Sequence, residues 1–352
     1  MRARGLLGLA LTALVIAGCR PADDTLVTHR LLVMATWFDL SLPRSATERD
    51  PGLIARIESE LRQFEDDYYA WGTGELASLN RTLTRAEPLE VSEPMARLLA
   101  TARSVAETTD RAFDPGVGGL VELWGFHDAG STARRPETAA VGARLAESGS
   151  ILDLEIDGAR IGITGSAAHR EGLRFTLDLG GIAKGAAVDR IVAELDSLGV
   201  SPALINAGGD LRVVGTPSER DWRIGIAAPR DDGILGTIRL LDHEAAFTSG
   251  DYERFFEQEG DRYHHILDPR TGLPVGHTQA VTVIADNGTI ADAAATALFV
   301  AGPDAWRSAA AELGITAVLR VDSTGKIEMT QPMRERLQAR ADDGSDIIVA
   351  AN

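Results

Sequence analysis

The sequence holds one cysteine, Cys19, so no disulfide can form within the chain. It has no CxxC pair, no HExxH and no GxSxG, which leaves zinc, haem and serine-hydrolase chemistry without support. Basic side chains are in the minority: 35 Lys and Arg stand against 52 Asp and Glu, a formal charge of -17. So acidic a surface argues against nucleic acid as a partner, because that binding rests on basic contacts. An anionic ligand must instead be met locally, by a helix end, a lysine or a metal. Neither GxGxxG nor Walker A spacing occurs, and there is no internal repeat. What is present is ample for a core: 352 residues, 44% of them hydrophobic.

The N-terminus reads as a targeting segment. Arg2 and Arg4 precede an apolar run over residues 6–16, too short to span a bilayer as a stable helix. The run ends in Val15-Ile-Ala-Gly-Cys19, a pattern that resembles a bacterial lipoprotein box, with cleavage before Cys19 and lipid on that cysteine. An ordinary signal peptide with an incidental cysteine is the alternative; the position of the chain's single cysteine favours the lipoprotein. We therefore expect a signal peptide over 1–18, a tether over 19–28, one folded domain over 29–335 and an acidic tail over 336–352. Removal of the signal takes the formal charge from -17 to -19 by deleting two arginines. The expected location is the cell envelope, facing the periplasm, with Arg20 leaning toward the outer membrane.

The chain is organised around residues 175–190. They read as a strand over 175–179, a turn at Gly180, Gly181 and Gly185, and a helix with Val188, Ile191, Val192, Leu195 and Leu198 on one face and Gly199 at its end. A helix that opens in a glycine turn offers free N–H groups and a positive dipole end to an anion, and Lys184 adds a cation. The residues alone equally allow a purely structural turn.

Before this stretch, residues 31–42 predict one strand containing Met34 and Trp37. Asp50-Pro51 opens a helix with Leu53, Ile54, Ile57, Leu61 and Phe64 on one face. Residues 64–80 read as an acidic, aromatic loop, Ser92 and Pro94 start another helix, and 130–150 read as a polar surface helix. After it, 203–215 predict a strand pair about Gly208-Gly209, with strands at 222–228, 237–241 and 281–284. Thr289 and Asp292 predict a capping box for a helix that Gly302-Pro303 ends. Strands and helices mix without regular βαβ alternation, which predicts an α+β fold.

Asp292 and Thr296 lie four residues apart on one helix face and offer two hard oxygen donors suited to Mg²⁺ or Ca²⁺; a helix cap and a packing threonine would look the same. His265, next to His264, is a candidate base near neutral pH, or a turn histidine bonded to backbone. Trp71, Trp124 and Phe126 suit either a flat ring ligand or the core.

Taken together, the motifs resemble the FAD:protein FMN transferase, or ApbE, family of bacterial lipoproteins. They are Gly74-Glu-Leu-Ala-Ser-Leu-Asn80, Ala112-Phe-Asp-Pro, Leu123-Trp-Gly-Phe, Leu177-Asp-Leu-Gly-Gly-Ile-Ala-Lys-Gly185, Asn206-Ala-Gly-Gly-Asp210, Thr248-Ser-Gly-Asp-Tyr-Glu253, His265-Ile-Leu-Asp-Pro-Arg-Thr-Gly272 and Ala291-Asp-Ala-Ala-Ala-Thr-Ala-Leu298, in the family's order. The resemblance implies a single domain of mixed sheets with flanking helices and a central FAD cleft. It assigns FAD contacts to Met34, Trp71, Ala112, Phe113, Asp114, Asp178, Lys184 and Ile266. It assigns Mg²⁺ to Asp292, Thr296 and a backbone carbonyl, placed on Gly181 with Ala183 as the alternative. Trp71 stands where relatives carry tyrosine, and it keeps a stacking face.

The implied reaction is Mg²⁺-dependent transfer of FMN from FAD to a threonine or serine hydroxyl of a target protein, with release of AMP and His265 as candidate base. Targets would carry a Ser/Thr-Gly-Ala-Ser/Thr acceptor. This chain has no such tetrapeptide, so self-modification is not indicated. Two other outcomes use the same residues: a Mg²⁺-dependent FAD pyrophosphatase giving FMN and AMP, and a flavin-binding lipoprotein without chemistry.

Overall fold

Alternate residues of the strand Thr278–Ala285 face opposite sides of a sheet, and both sides are covered. Val281 and Val283 join one core with Phe247, Leu298 and Phe299, while Ala280 and Ile284 join a second with Leu319 and Met329. A strand buried on both faces reads as a continuous apolar run, as this one does. The computed structural model describes residues 25–127, 133–217, 221–339 and 347–350. Nine strands form the main sheet in the order Leu26–Val33, Thr36–Pro43, Ala203–Ala207, Asp210–Val214, Ala245–Gly250, Thr278–Ala285, Ala317–Asp322, Ile327–Thr330 and Ile347–Ala350. Each pairs antiparallel with its neighbour except the last, which is parallel. Smaller sheets and helices flank it, so the fold is the α+β arrangement expected from the sequence.

Two helices carry the site. The glycine helix, Gly180–Ser197, and the alanine helix, Gly288–Glu312, pack against each other and against the main sheet. Ala291, Ala293, Ala294, Ala295 and Ala297 are all buried, and side chains this small let the second helix lie close to its neighbours. The break expected at Gly302 is present as φ 73 inside that helix.

Several local expectations are corrected. Residues 31–42 are two strands of a hairpin rather than one, turning at Met34 and Ala35, which both take φ 55. That left-handed turn normally recruits Gly or Asn, so the sequence carried no turn signal there. Residues 175–179 pair with no strand among the described residues; the glycine helix begins directly at Gly180, so its glycines lie in its first turns and not in a loop before it. The loop over 64–80 shrinks to 69–74, between helices Leu53–Tyr68 and Glu75–Leu83. The helix within 130–150 is Thr138–Glu147. Residues 26–28 already belong to the first strand, and beyond 335 the segments Leu337–Ala339 and Ile347–Ala350 are strands. The signal peptide and Cys19 lie outside the described residues.

Candidate active site

The alanine helix is not capped by Thr289 and Asp292. Asn287 caps it, accepting from the Ile290 N–H at 2.8 Å. Asp189 of the glycine helix reinforces that start, accepting from the Gly288 and Thr289 N–H groups at 2.7 and 2.9 Å and from the Thr289 hydroxyl at 2.6 Å. Asp292 is thereby free for another purpose. It is 5% exposed and accepts the backbone N–H of Gly185 at 3.0 Å. Burial pushes its carboxyl up to about 7; Asp210 and Glu253 add to the rise, while Lys184 and the Gly185 N–H oppose it.

Gly185 is the crossing point of the two helices. A Cβ there would lie 2.1 Å from the Gly288 carbonyl oxygen, so only glycine permits the approach. One turn earlier, a Cβ on Gly181 would lie 3.2 Å from Thr296 Oγ1 and 3.3 Å from the Phe113 ring. Thr296 Oγ1 also bonds Ser249 Oγ at 3.1 Å. Gly181, Thr296 and Phe113 therefore meet, with Asp292 one turn before Thr296 on the same helix. A buried carboxylate without an ion-pair partner among the described residues, a hydroxyl and adjacent backbone form a hard oxygen set that fits Mg²⁺, which takes few protein ligands. Among the described residues no cluster of three or more His, Cys, Asp or Glu suits a richer metal cage.

Lys184, one of two lysines in the chain, pairs with Asp210, whose other oxygen accepts from the Thr248 N–H at 2.8 Å. Burial works to strip the lysine's proton, but Asp210, Glu253 and Asp292 outweigh it and hold the ammonium charged. Asp178 accepts from the Gly180 N–H at 2.9 Å, so a carboxylate already occupies the helix start that looked ready for an anion. Burial raises the Asp178 carboxyl, against the Gly180 N–H and Arg254.

The two histidines part company. His264 is buried and uses both ring nitrogens: Nε2 lies 2.7 Å from the Val275 carbonyl and Nδ1 accepts from the Ile266 N–H at 3.2 Å. His265 is half-buried, with its N–H 3.0 Å and its Nδ1 3.3 Å from the Arg254 carbonyl oxygen. Nδ1 therefore carries the proton and Nε2 is left to accept. Burial, then Arg254 and His264, drive the imidazole well below its ordinary value.

A profile of the ApbE family matches residues 34–319. The chain belongs to the ApbE family. It is 40% identical over 339 residues to a FAD:protein FMN transferase of Rhodobacter capsulatus, covering 94% of this chain and 63% of that protein. A FAD:protein FMN transferase of Klebsiella pneumoniae is 32% identical over 93% of this chain and 98% of its own length. The ApbE crystal structure from Thermotoga maritima superposes with a TM-score of 0.77 at 32% identity, over 89% of this chain and all of that one. The apo flavinyl transferase ApbE of Pseudomonas stutzeri gives 0.77 at 30% identity, over 91% of this chain and 99% of that one.

Of the residues that the ApbE resemblance assigned, Gly181, Asp292, Thr296 and Phe113 come together; the Lys184 charge bears on Asp292 and also on His265. Ala112, Phe113 and Ile266 are buried in one core cluster, on which Met34 and Trp71 pack from the side. Trp71 Nε1 and the neighbouring His127 Nδ1 are buried without hydrogen-bond partners among the described residues, as polar atoms completed by a ligand would be. Asp114 differs. Its carboxylate accepts from Gly116 N–H, Ile151 N–H, Ser150 Oγ and Arg111 Nε at 2.9, 2.9, 2.6 and 2.8 Å, so the side chain ties neighbouring segments together. Sequence reasoning passed over Asp210, Glu253 and Arg254 as individual residues, although two ended quoted motifs; a carboxylate directly after Gly208-Gly209 was the available signal.

Proposed function

We propose that this ApbE protein is an FAD:protein FMN transferase that moves FMN from FAD onto a threonine or serine hydroxyl of a target protein and releases AMP. The observation that carries this reading is the convergence of Gly181, Asp292 and Thr296 within reach of the charged Lys184, whose charge also bears on His265, in a family with members named for this activity. The acceptor hydroxyl gives its proton to His265 Nε2 and forms a bond to the FMN phosphorus. The bond from that phosphorus to the bridging oxygen breaks, and the oxygen leaves on AMP. Lys184 places a fixed positive charge beside the pyrophosphate. Mg²⁺ held by Asp292, Thr296 and the Gly181 carbonyl would spread the negative charge that develops there. Met34 and Trp71 would flank the flavin.

The acceptor would carry a Ser/Thr-Gly-Ala-Ser/Thr segment, and lipid on Cys19 would keep the enzyme at the envelope, facing the periplasm. The test mixes mature protein, FAD, Mg²⁺ and a domain bearing such a segment, and reads the mass of the acceptor. An FMN-sized adduct that needs Mg²⁺ and vanishes in Asp292→Ala is expected. Free FMN and AMP without adduct would replace the transferase with a pyrophosphatase, and intact FAD would leave a binding protein.

A further inference from the structure

Among the described residues, Arg254 is the cation at this site that no carboxylate holds. Arg111 pairs with Asp114, Lys184 with Asp210, Arg230 with Asp251 and Arg270 with Asp268. Among the described residues no carboxylate lies within ion-pairing distance of Arg254, and its one side-chain bond is a long one, from Nη1 to the Phe126 carbonyl at 3.4 Å. Its backbone is fixed all the same, because its carbonyl receives the His265 N–H at 3.0 Å. The residue is exposed. Its charge bears on Asp178, at the head of the glycine helix, on Glu253 and on His265. A cation flanked by three site residues and committed to none is a receptor for an anion.

We propose that Arg254 binds the phosphate of the FMN half, gripping the non-bridging oxygens of the phosphoryl group while it is transferred. This rests on the transferase reading above. In-line displacement puts the base and the nucleophile on the side of phosphorus opposite the leaving group. Arg254 is tied through its own carbonyl to His265, the base, so it stands on the entering side and not with departing AMP. The acceptor oxygen bonds to phosphorus, the electron pair of the broken bond goes to AMP, and the proton goes to His265. The charge carried by the equatorial oxygens throughout is what a planar guanidinium can take with two parallel N–H donors. Lys184, already bound to Asp210, offers one point charge from another wall.

The experiment compares wild type, Arg254→Ala and Arg254→Lys as mature proteins with FAD, Mg²⁺ and acceptor. We expect Arg254→Ala to lower kcat by roughly 10³-fold, the order seen when an arginine that meets a transferring phosphoryl group is removed. FMN should bind about tenfold or more weaker, and AMP should change less than about twofold. Arg254→Lys should recover only part of the loss, since an ammonium lacks the fork. The acidic limb of the pH–rate profile should move up in the alanine variant and stay in place in the lysine variant. The charged and titratable neighbours of His265 are Arg254, His264 and Lys184, and only the first is altered. A merely structural arginine would lower Tm and weaken FMN and AMP together. FMN binding equal to wild type, or a loss confined to AMP, would overturn the proposal. Flavin fluorescence titration reads FMN binding without turnover, so an inert wild type would sink the transferase reading and still leave Arg254 tested.

Discussion

The Gly185 backbone N–H donates to Asp292 Oδ2 at 3.0 Å at the very point where the two helices touch. The close crossing and the orientation of the buried carboxylate are one feature. Gly185→Ala would drive a methyl group to 2.1 Å from the Gly288 carbonyl oxygen, which backbone cannot yield. We expect it to cost about 3 kcal/mol or more and to misplace Asp292. Gly181→Ala meets its nearest atom, Thr296 Oγ1, at 3.2 Å and asks for a shift of a few tenths of an ångström. It should keep wild-type Tm within a few degrees and retain activity. Thermal melts of the two variants check both, and equal losses would show that the crossing is looser than drawn.

Asp292 makes stability depend on pH with a predictable sign. Its carboxyl rises from 3.8 in the unfolded chain to about 7 in the fold, chiefly through burial. That contribution is complete below the unfolded value and is lost as pH rises through about 7. Metal-free protein should therefore lose Tm between pH 4 and 8 more steeply than Asp292→Asn, which keeps the acceptor for Gly185 and has no charge to bury. At the proposed Mg²⁺ site the metal would require the ionised form, so its affinity should fall about tenfold per pH unit below 7, with about one proton released per ion. Calorimetry in two buffers of different ionisation enthalpy counts that proton, and zero release would remove Asp292 from the metal set.

How much of this was legible beforehand depended on the kind of signal. The α+β mixture, the strand pair about Gly208-Gly209 and the helix from Leu53 were readable because apolar spacing and glycine turns act locally. The hairpin at Met34 was not, because two ordinary residues hold left-handed backbone there. Asp292 was visible both as a metal-ligand candidate and as half of a capping box, and only the capping box fails. The true cap, Asn287, and its helper Asp189 are about a hundred positions apart, a distance that no local pattern spans. Arg254 was invisible for the opposite reason: its proposed role rests on its having no ion pair among the described residues, and sequence does not show an absent pair.

Asp114 is expected to matter for stability more than for FAD contact. Asp114→Ala leaves two buried N–H groups, the Ser150 hydroxyl and one arginine edge without their acceptor. Losses of this type reach about 3–5 kcal/mol. Its Tm should fall by many degrees, while FAD affinity at low temperature stays near wild type. A large loss of FAD affinity with unchanged Tm would show that the carboxylate reaches the ligand after all.

The paired histidines provide an internal control for the base. His264 is buried with both nitrogens bonded, so His264→Gln removes ring packing against Phe299 and disturbs two bonds; it should destabilise by about 2 kcal/mol. His265 gives one nitrogen to a carbonyl, and the other is the proposed acceptor of the substrate proton. His265→Gln should leave Tm nearly intact and lower transfer by about 10²–10⁴-fold. Because the imidazole sits well below 6.5, it is already neutral at pH 7, and protonation removes the base only as pH falls. The acidic limb of the wild-type profile should therefore lie below pH 6.5 and be absent from the residual activity of His265→Gln. A limb that persists unchanged in that variant would assign it to another group and leave His265 a positioning residue.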